Sequence, residues 1–505
     1  MLIGEDLRLK ANARIDERAC LIEELDLTSA EPISDEQLIL HAYETWGEDC
    51  VNYLIGDFAF AIWDERKQQF FCARDHFGVK PFFYTHIDGN FKFSSSLNEL
   101  RHNPQVSNTL NEIAIGDYLL FGVNQDNATT IFKDIHRLPP GHSLTVANNE
   151  IKIRKYWTLP DWTVCFSNDA SYVECFSEIL SLAVKDRLHT DRVAISMSGG
   201  LDSTSLAAIA RGHAQVAAVS VVYDKLIPDE ERHYSDLAAK HLGIPITHVT
   251  ADGYALFDGD MNQAEPFLLS PLTGQFNELL RRCAEFSTVA LTGYDGDAFM
   301  HEPQPPRFQI RTRIKRMLRK PDSIPEWIDE SFATRTCLRE RWREFWSNNG
   351  YKGERPAAMR ALNAKIWTAL FEGYDQSATK LNLEVCHPFL DKRLIDYLLS
   401  IPTRPWCVNK HILRCAMSDK LPPAVLNRPK TGLAGDPALQ LVRRASVRWL
   451  DSFEVNPQLK AFVDLTRRRP VADEKTPDAL WSSLRVFALN YWLTNSQPLE
   501  MMHGT

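Results

Sequence analysis

Residues 193–204 read Val-Ala-Ile-Ser-Met-Ser-Gly-Gly-Leu-Asp-Ser-Thr, and this string constrains the chain more than any other. Its apolar, β-branched start predicts a short buried strand. Ser198, Gly199 and Gly200 break that strand, and from Leu201 to Arg211 Ala and Leu recur at helical spacing. A strand, a glycine turn and a helix start aim backbone N–H groups and the positive end of a helix dipole at one point. Glycines let the backbone come close to an anion, and the hydroxyls of Ser198 and Ser203 add donors. A carboxylate beside such a site repels its ligand unless a cation stands between them, so Asp202 is a candidate Mg2+ ligand. No Lys follows the glycines, which excludes a Walker A loop. A lone Ser-Gly-Gly would fit any strand-to-helix turn; the full string is far more specific.

The neighbouring segments repeat the pattern. Ala170 to Leu188 predicts an amphipathic helix, and Val216–Val222, Pro245–Val249 and Thr288–Thr292 predict further buried strands. Strands alternating with helices mean a parallel sheet covered by helices, whose ligands bind at the carboxyl ends of strands. Ser198 and Gly293 both fall at such ends. The second end carries Leu291-Thr-Gly-Tyr-Asp-Gly-Asp297. Asp297 is the second candidate metal ligand, since two carboxylates from separate strand ends suit a metal on a triphosphate. Asp229-Glu230-Glu231 is expected to be a solvated turn leading into a helix.

Residues 1 to about 160 predict mainly strands. Phe58–Trp63 is apolar throughout, Phe70–Ala73 follows a charged turn, and Phe82–Tyr84 with Phe91–Ser94 flank the hairpin signal Asp88-Gly89. Glu36 to Trp46 predicts an amphipathic helix. At 505 residues two or three domains are expected, and a net charge of −9 argues against general nucleic-acid or membrane-surface binding. No run approaches the length of a bilayer span, no secretory signal opens the chain, and ten scattered cysteines without Cys-x-x-Cys pairs suggest a reduced, cytoplasmic protein.

The Ser-Gly-Gly-Leu-Asp-Ser string resembles the pyrophosphate loop of ATP-pyrophosphatases, which split ATP into AMP and pyrophosphate. Gly56-Asp-Phe-Ala-Phe-Ala-Ile-Trp-Asp64, Arg74-Asp-His-Phe-Gly-Val-Lys-Pro81 and Leu138-Pro-Pro-Gly-His142 resemble the N-terminal domain of asparagine synthetase-like amidotransferases. The resemblance implies an α/β chain of two parts. Residues 1–160 would be an incomplete glutaminase-like α+β sandwich of the N-terminal-nucleophile hydrolase type. Residues 161–505 would be an AMP-forming synthetase, a parallel-sheet domain of the ATP-pyrophosphatase (adenine nucleotide hydrolase-like) kind with a helical C-terminal part. ATP and Mg2+ are the implied cofactors, with the nucleotide on Ser196, Ser198, Gly199, Gly200, Leu201, Asp202, Ser203, Val221, Gly293 and Tyr294, and the metal on Asp202 and Asp297. The family often carries an acidic pair near Asp229–Glu231.

Several positions depart from plain asparagine synthetases. The family's glutaminase cysteine has no counterpart behind Met1, the first Cys being Cys20, and Asn12-Ala13 stands in place of an Asn-Gly pair. The expectation is therefore no glutamine hydrolysis and an amine already present in the substrate. Tyr294 stands where asparagine synthetases have Glu and where β-lactam-forming relatives have Tyr. Those relatives pair the Tyr with a downstream Glu as the base for the attacking amine, at a position matching Glu372. In Glu384-Val-Cys-His-Pro-Phe-Leu-Asp391 the family's Arg is Cys386. Lys430, in Arg-Pro-Lys-Thr-Gly, matches a lysine that enters the active site of the β-lactam-forming relatives. The basic stretch Arg307 to Lys320 and the Arg-, Glu- and Trp-rich Leu338 to Trp346 suggest a solvated helix face, a lid or a docking surface for an acidic peptide. Together these tilt the expectation to a lasso-peptide cyclase. Its partners would be a ribosomal precursor peptide and its leader-processing protease, and its product a macrolactam. A β-lactam synthetase-like enzyme and an asparagine synthetase remain the alternatives.

Overall fold

The computed structural model describes residues 2–495 apart from 4–5, 29–31, 161, 260–262, 303–323, 349–354, 430–431 and 445–447. The basic stretch from Arg307 to Lys320 and the candidate Lys430 lie outside the described residues.

The N-terminal half holds β1 (Leu2–Ile3), β2 (Leu7–Ile15), β3 (Gly56–Asp64), β4 (Gln69–Arg74), β5 (Phe83–Ile87), β6 (Asn90–Ser94), β7 (His136–Arg137), β8 (His142–Ala147) and β9 (Glu150–Lys155). Six of them form an antiparallel sheet in the order β1-β2-β3-β4-β8-β9, and a second sheet runs β6-β5-β7. The unbroken apolar run of β3 now has a cause. Phe58, Phe60 and Ile62 point to one face, where helix α1 (Asp35–Trp46) packs through Leu38, Leu40 and Tyr43. Ala59 and Ala61 point to the other, against Phe82 and Tyr84 beside the second sheet. A strand with cores on both faces has no polar positions to alternate with. At the β5–β6 hairpin Ile87 pairs with Asn90, and Asp88 and Gly89 take φ of 48° and 79°. Both values are positive, as a two-residue turn of the primed kind needs. Helix α2 (Glu112–Phe121) closes this half.

The second half begins with helix α3 (Asp169–Lys185) and builds a five-stranded parallel sheet from β10 (Arg192–Ser196), β11 (Gln215–Val222), β12 (Ile246–Thr250), β13 (Val289–Thr292) and β14 (Glu384–Cys386). The order is β12-β11-β10-β13-β14. The chain moves outward from β10 through β11 to β12, then returns to the other side of β10 with β13. A crevice opens at such a reversal, at the carboxyl ends of the two strands. Ser196 pairs with Thr292 there, so the loops after β10 and β13 start side by side. Val193, Ala194 and Ile195 are fully buried beneath them.

The sheet is flanked by α4 (Leu201–Ala210), α5 (Glu231–Leu242) and α6 (Thr273–Phe286). The helical remainder includes α7 (Gly296–Met300), α8 (Leu338–Asn348), α9 (Ile366–Tyr374), α10 (His411–Ala416) and α11 (Pro477–Asn495). The two halves do not keep separate cores. Leu119 of α2, Phe132 and Ile135 pack in one cluster with Leu484, Leu489 and Trp492 of α11. A layer of buried ion pairs also joins them: Arg14 of β2 reaches Asp57 at 2.6 Å and Asp16 at 2.9 Å, and Arg187 reaches Asp391 at 2.9 Å. Lys80 meets Glu384 of β14 at 2.8 Å, and the Cys386 thiol lies 3.7 Å from Arg14. Burial alone would raise the Asp57 carboxyl, but Arg14 and Arg187 hold it below the usual carboxylate range.

Candidate active site

The loop after β10 is shaped by contacts that only glycine allows. Gly199 has a φ of 68°, and a Cβ there would lie 2.5 Å from the Ser235 nitrogen and 2.7 Å from the Tyr234 carbonyl carbon of α5. The next loop nests as tightly. A Cβ on Gly293 would stand 2.7 Å from the Ser203 nitrogen, and one on Gly296 2.6 Å from the Asp202 Cγ. The ten-residue α4 starts at Gly200 with no side chain capping it. First-turn N–H groups have no partner within their own helix, and Gly200, Leu201, Asp202 and Ser203 line the crevice, which suits this helix start to an anion. Within the loop Ser203 Oγ accepts from Ser198 N at 3.3 Å.

These loops border a cleft of about 880 Å³ lined by Ser196, Ser198, Gly200, Leu201, Asp202, Ser203, Gly293, Tyr294 and Asp297. Gly199 stands behind the wall against α5, and Val221 packs into the apolar cluster of Val219, Val249 and Leu280. Asp202 and Asp297 come together. The Lys410 ammonium bridges them, 2.5 Å from Asp202 Oδ2 and 2.7 Å from Asp297 Oδ1. Lys410 begins α10 in the left-handed conformation, and its own N–H donates to the Met300 carbonyl at 2.7 Å, which fixes it over the crevice. A carboxylate pair that already gathers one cation has the donor set for a divalent ion. Asp295, between Tyr294 and Gly296, adds a buried carboxylate whose Oδ2 has no hydrogen-bond partner among the described residues. Burial, then the neighbouring Asp297 charge, push its carboxyl up to about 7.

Sequence reasoning had no role for Lys410, although Lys410-His-Ile-Leu-Arg414 stands out as a charged helix start. It also misplaced Glu231. That residue is part-buried, lines the cleft and pairs with Arg428 at 2.9 Å, while the Arg428 guanidinium lies 4.0 Å over the Tyr234 ring. Burial raises the Glu231 carboxyl although Arg428 opposes the shift. Glu231 thus clamps the mouth of the glycine loop through Arg428, while Glu230 beside it is exposed.

Tyr294 reaches the cleft and is 39% exposed. Its ring meets Tyr374 and His387, with centroids 6.0 and 6.2 Å away. Glu372, expected to act with it, is buried behind this wall and gives both oxygens to Arg137, at 2.7 and 2.9 Å. Arg137, from the N-terminal half, also bonds Glu265. Here Glu372 anchors α9, and Tyr374 at the end of α9 backs Tyr294. His387 holds the Thr292 hydroxyl at 2.6 Å, and burial pushes its imidazole down to about 3, so it is neutral.

Comparison with known proteins agrees with this geometry. The asparagine synthase family profile matches residues 176–494, and a glutamine amidotransferase domain profile matches residues 19–157. Asparagine synthetase [glutamine-hydrolyzing] 3 of Bacillus subtilis is 27% identical over 445 residues, covering 79% of this chain and 70% of that protein. Asparagine synthetase [glutamine-hydrolyzing] 2 of the same organism is 26% identical over 438 residues, 79% of this chain and 58% of its own length. An amidase of Penicillium rubens is 31% identical over 193 residues, 34% of this chain and 26% of that one. Fold, cleft and profiles together define an ATP-dependent carbon–nitrogen ligase. The chain belongs to the asparagine synthase family.

Proposed function

We propose that this ligase is a lasso-peptide cyclase: it transfers AMP from ATP to an Asp or Glu side chain of a precursor peptide and closes the acyl-adenylate onto the peptide's N-terminal amine. Pyrophosphate leaves in the first step and AMP in the second. The peptide loses one water and gains an isopeptide ring. In this reading the N–H groups at the start of α4, with Ser198 and Ser203, bind phosphate oxygens. Asp202 and Asp297 would hold Mg2+, which supplies neutralisation of the departing pyrophosphate. Lys410 stabilises negative charge developing on the phosphoryl and acyl oxygens, and Tyr294 faces the amine. Lys430 is proposed to join them. The enzyme acts in the cytoplasm, where ATP is available, beside the protease that frees the peptide's N-terminus. Among the described residues no helix is long and apolar enough to cross a membrane.

The observation that carries the reading is the seam between the halves. Arg14, Asp16, Asp57, Arg187 and Asp391 are all buried there and bound to one another. This layer of fixed charges packs the two parts together, and in this reading no amine passes from one to the other. An amine that belongs to the substrate enters through the open side of the cleft. The Cys386 thiol in the same layer supports the departure from plain asparagine synthesis.

A second reading, asparagine synthesis with glutamine as nitrogen donor, is favoured by the names of the Bacillus subtilis relatives and by the glutamine amidotransferase match. One experiment separates the two. The protein is incubated with ATP, Mg2+ and either a precursor peptide or aspartate with glutamine or ammonia. Peptide-dependent AMP release, with loss of one water from the peptide, supports the cyclase; asparagine formation refutes it.

A further inference from the structure

Helix α9 stands between two cavities. Its last residue, Tyr374, touches Tyr294 in the cleft, and its first, Ile366, lines a second cavity of about 570 Å³. At 1.5 Å of rise per residue, the nine residues of α9 put the two about 12 Å apart. The second cavity lies where α2 of the N-terminal half meets α8. One wall is aromatic: Phe121 and Phe345 line it with ring centroids 4.4 Å apart, and outside the lining Trp342 and Trp346 extend the ring cluster, Trp346 lying 5.6 Å from both Phe345 and Trp342. Residues 342, 345 and 346 share one helix face by their spacing. Trp346 is 41% exposed, and the lining residue Ile366 is 50% exposed.

The rest of the lining is cationic. Arg341, Arg360 and Lys365 face it against one acid, Glu344. Arg341 is neutralised by the buried Asp117 at 2.7 Å. Arg360 and Lys365 form no ion pair among the described residues. Burial pushes the Lys365 ammonium down, with Asp126 offsetting only part of the shift. Arg360 and the half-buried Lys365 thus give this wall a positive charge that complements an acidic group.

We propose that this cavity seats an acidic, aromatic-bearing segment of the peptide substrate, its ring on the Phe121–Phe345 wall and its carboxylate on Arg360 and Lys365. The inference rests on the peptide reading of the cleft. About four extended residues, at roughly 3.3 Å each, match the separation of the cavity and the cleft.

The test uses a fluorescein-labelled peptide of alternating Asp and Phe, and its twin with Asn for every Asp, titrated with the full-length protein. The acidic probe binds saturably and at least tenfold more tightly than the twin. The double variant R360E/K365E weakens it at least tenfold, F345L weakens it several-fold, and both variants keep the wild-type melting temperature. Saturating Mg2+-ATP does not displace the probe. Equal binding of twin and probe, unchanged binding by R360E/K365E, or displacement by ATP overturns the proposal. Turnover separates this inference from the function it rests on. Precursor peptides cyclised with an unchanged KM by R360E/K365E sink the docking site alone. Probe binding at this cavity, without AMP release for any peptide, sinks the cyclase reading alone.

Discussion

Lys410→Met removes the ammonium between Asp202 and Asp297 and keeps the aliphatic stem. The structure sets the size of the effect. With Nζ at 2.5 and 2.7 Å from the two carboxylate oxygens, those oxygens are separated by no more than about 5 Å. At an effective dielectric constant of ~20, two unit charges at that separation repel by about 3 kcal/mol. The Asp297 side chain is 40% exposed, and solvent screening brings the expected cost down to about 1 kcal/mol. The variant should therefore melt about 1 °C below the wild type in EDTA. Adding Mg2+ without ATP should close that gap, because the ion takes the place the ammonium left. Mg2+ should thus stabilise the variant more than the wild type, whose lysine competes for the same oxygens. Catalysis should not recover: pyrophosphate release should stay about 10²–10³-fold down, the loss typical of a donor that meets developing charge. The assays are thermal melts with EDTA or Mg2+, and pyrophosphate release under saturating ATP. A variant that melts with the wild type in EDTA, ignores Mg2+ and turns over normally would refute the assignment of Lys410.

Three further outcomes follow from the geometry. Gly199→Ala forces a left-handed alanine whose Cβ lies 2.5 Å from the Ser235 backbone, so α5 must move; stability should fall by about 1–3 kcal/mol and ATP affinity more than tenfold, checked by urea titration and nucleotide binding. Arg137→Met leaves Glu265 and Glu372 buried without their cation, costing about 3–5 kcal/mol, and adding Glu372→Gln should return part of the loss in the same titration. Burial pushes the imidazoles of both His76 and His387 down to about 3, so each is neutral in the fold and takes up a proton on unfolding below the ordinary value of about 6.5. Stability should be full above about pH 6.5 and fall as the pH drops from there toward 3, by about 1.4 kcal/mol per unit for each histidine. His76→Phe should remove one proton's share of that slope between about pH 6 and 4, and an unchanged slope would contradict it.

The parts of the fold visible in the sequence are those where local pattern and burial coincide. The apolar runs that became β3, β10, β11 and β13 could be read directly, as could the Asp88-Gly89 hairpin, because strand period and turn chemistry act over a few residues. The loops after β10 and β13 were legible for the same reason, and a parallel sheet brings strand ends together. What the sequence concealed lies between distant segments. Lys410 reaches Asp202 from 208 positions away, and nothing in Lys-His-Ile-Leu-Arg says which carboxylate its amine will meet. Arg137 captures Glu372 across the two halves, so a glutamate expected beside Tyr294 is held behind it. Glu231 looked solvated because its neighbours are charged; its burial depends on Arg428 arriving from the far end of the chain. Around residue 160 β9 ends at Lys155 and α3 starts at Asp169, and Phe132 and Trp492 share a core across that stretch.

Oxygen tracing bears most directly on the account's main assertion, that the cleft joins a carboxylate to AMP. A precursor peptide with 18O in its acidic side chains is cyclised with unlabelled ATP and Mg2+, and the nucleotide product is analysed by mass spectrometry. Transfer of AMP to the carboxylate yields AMP carrying one 18O, in step with a peptide lighter by one water. Unlabelled AMP, or ADP with 18O in inorganic phosphate, would contradict it.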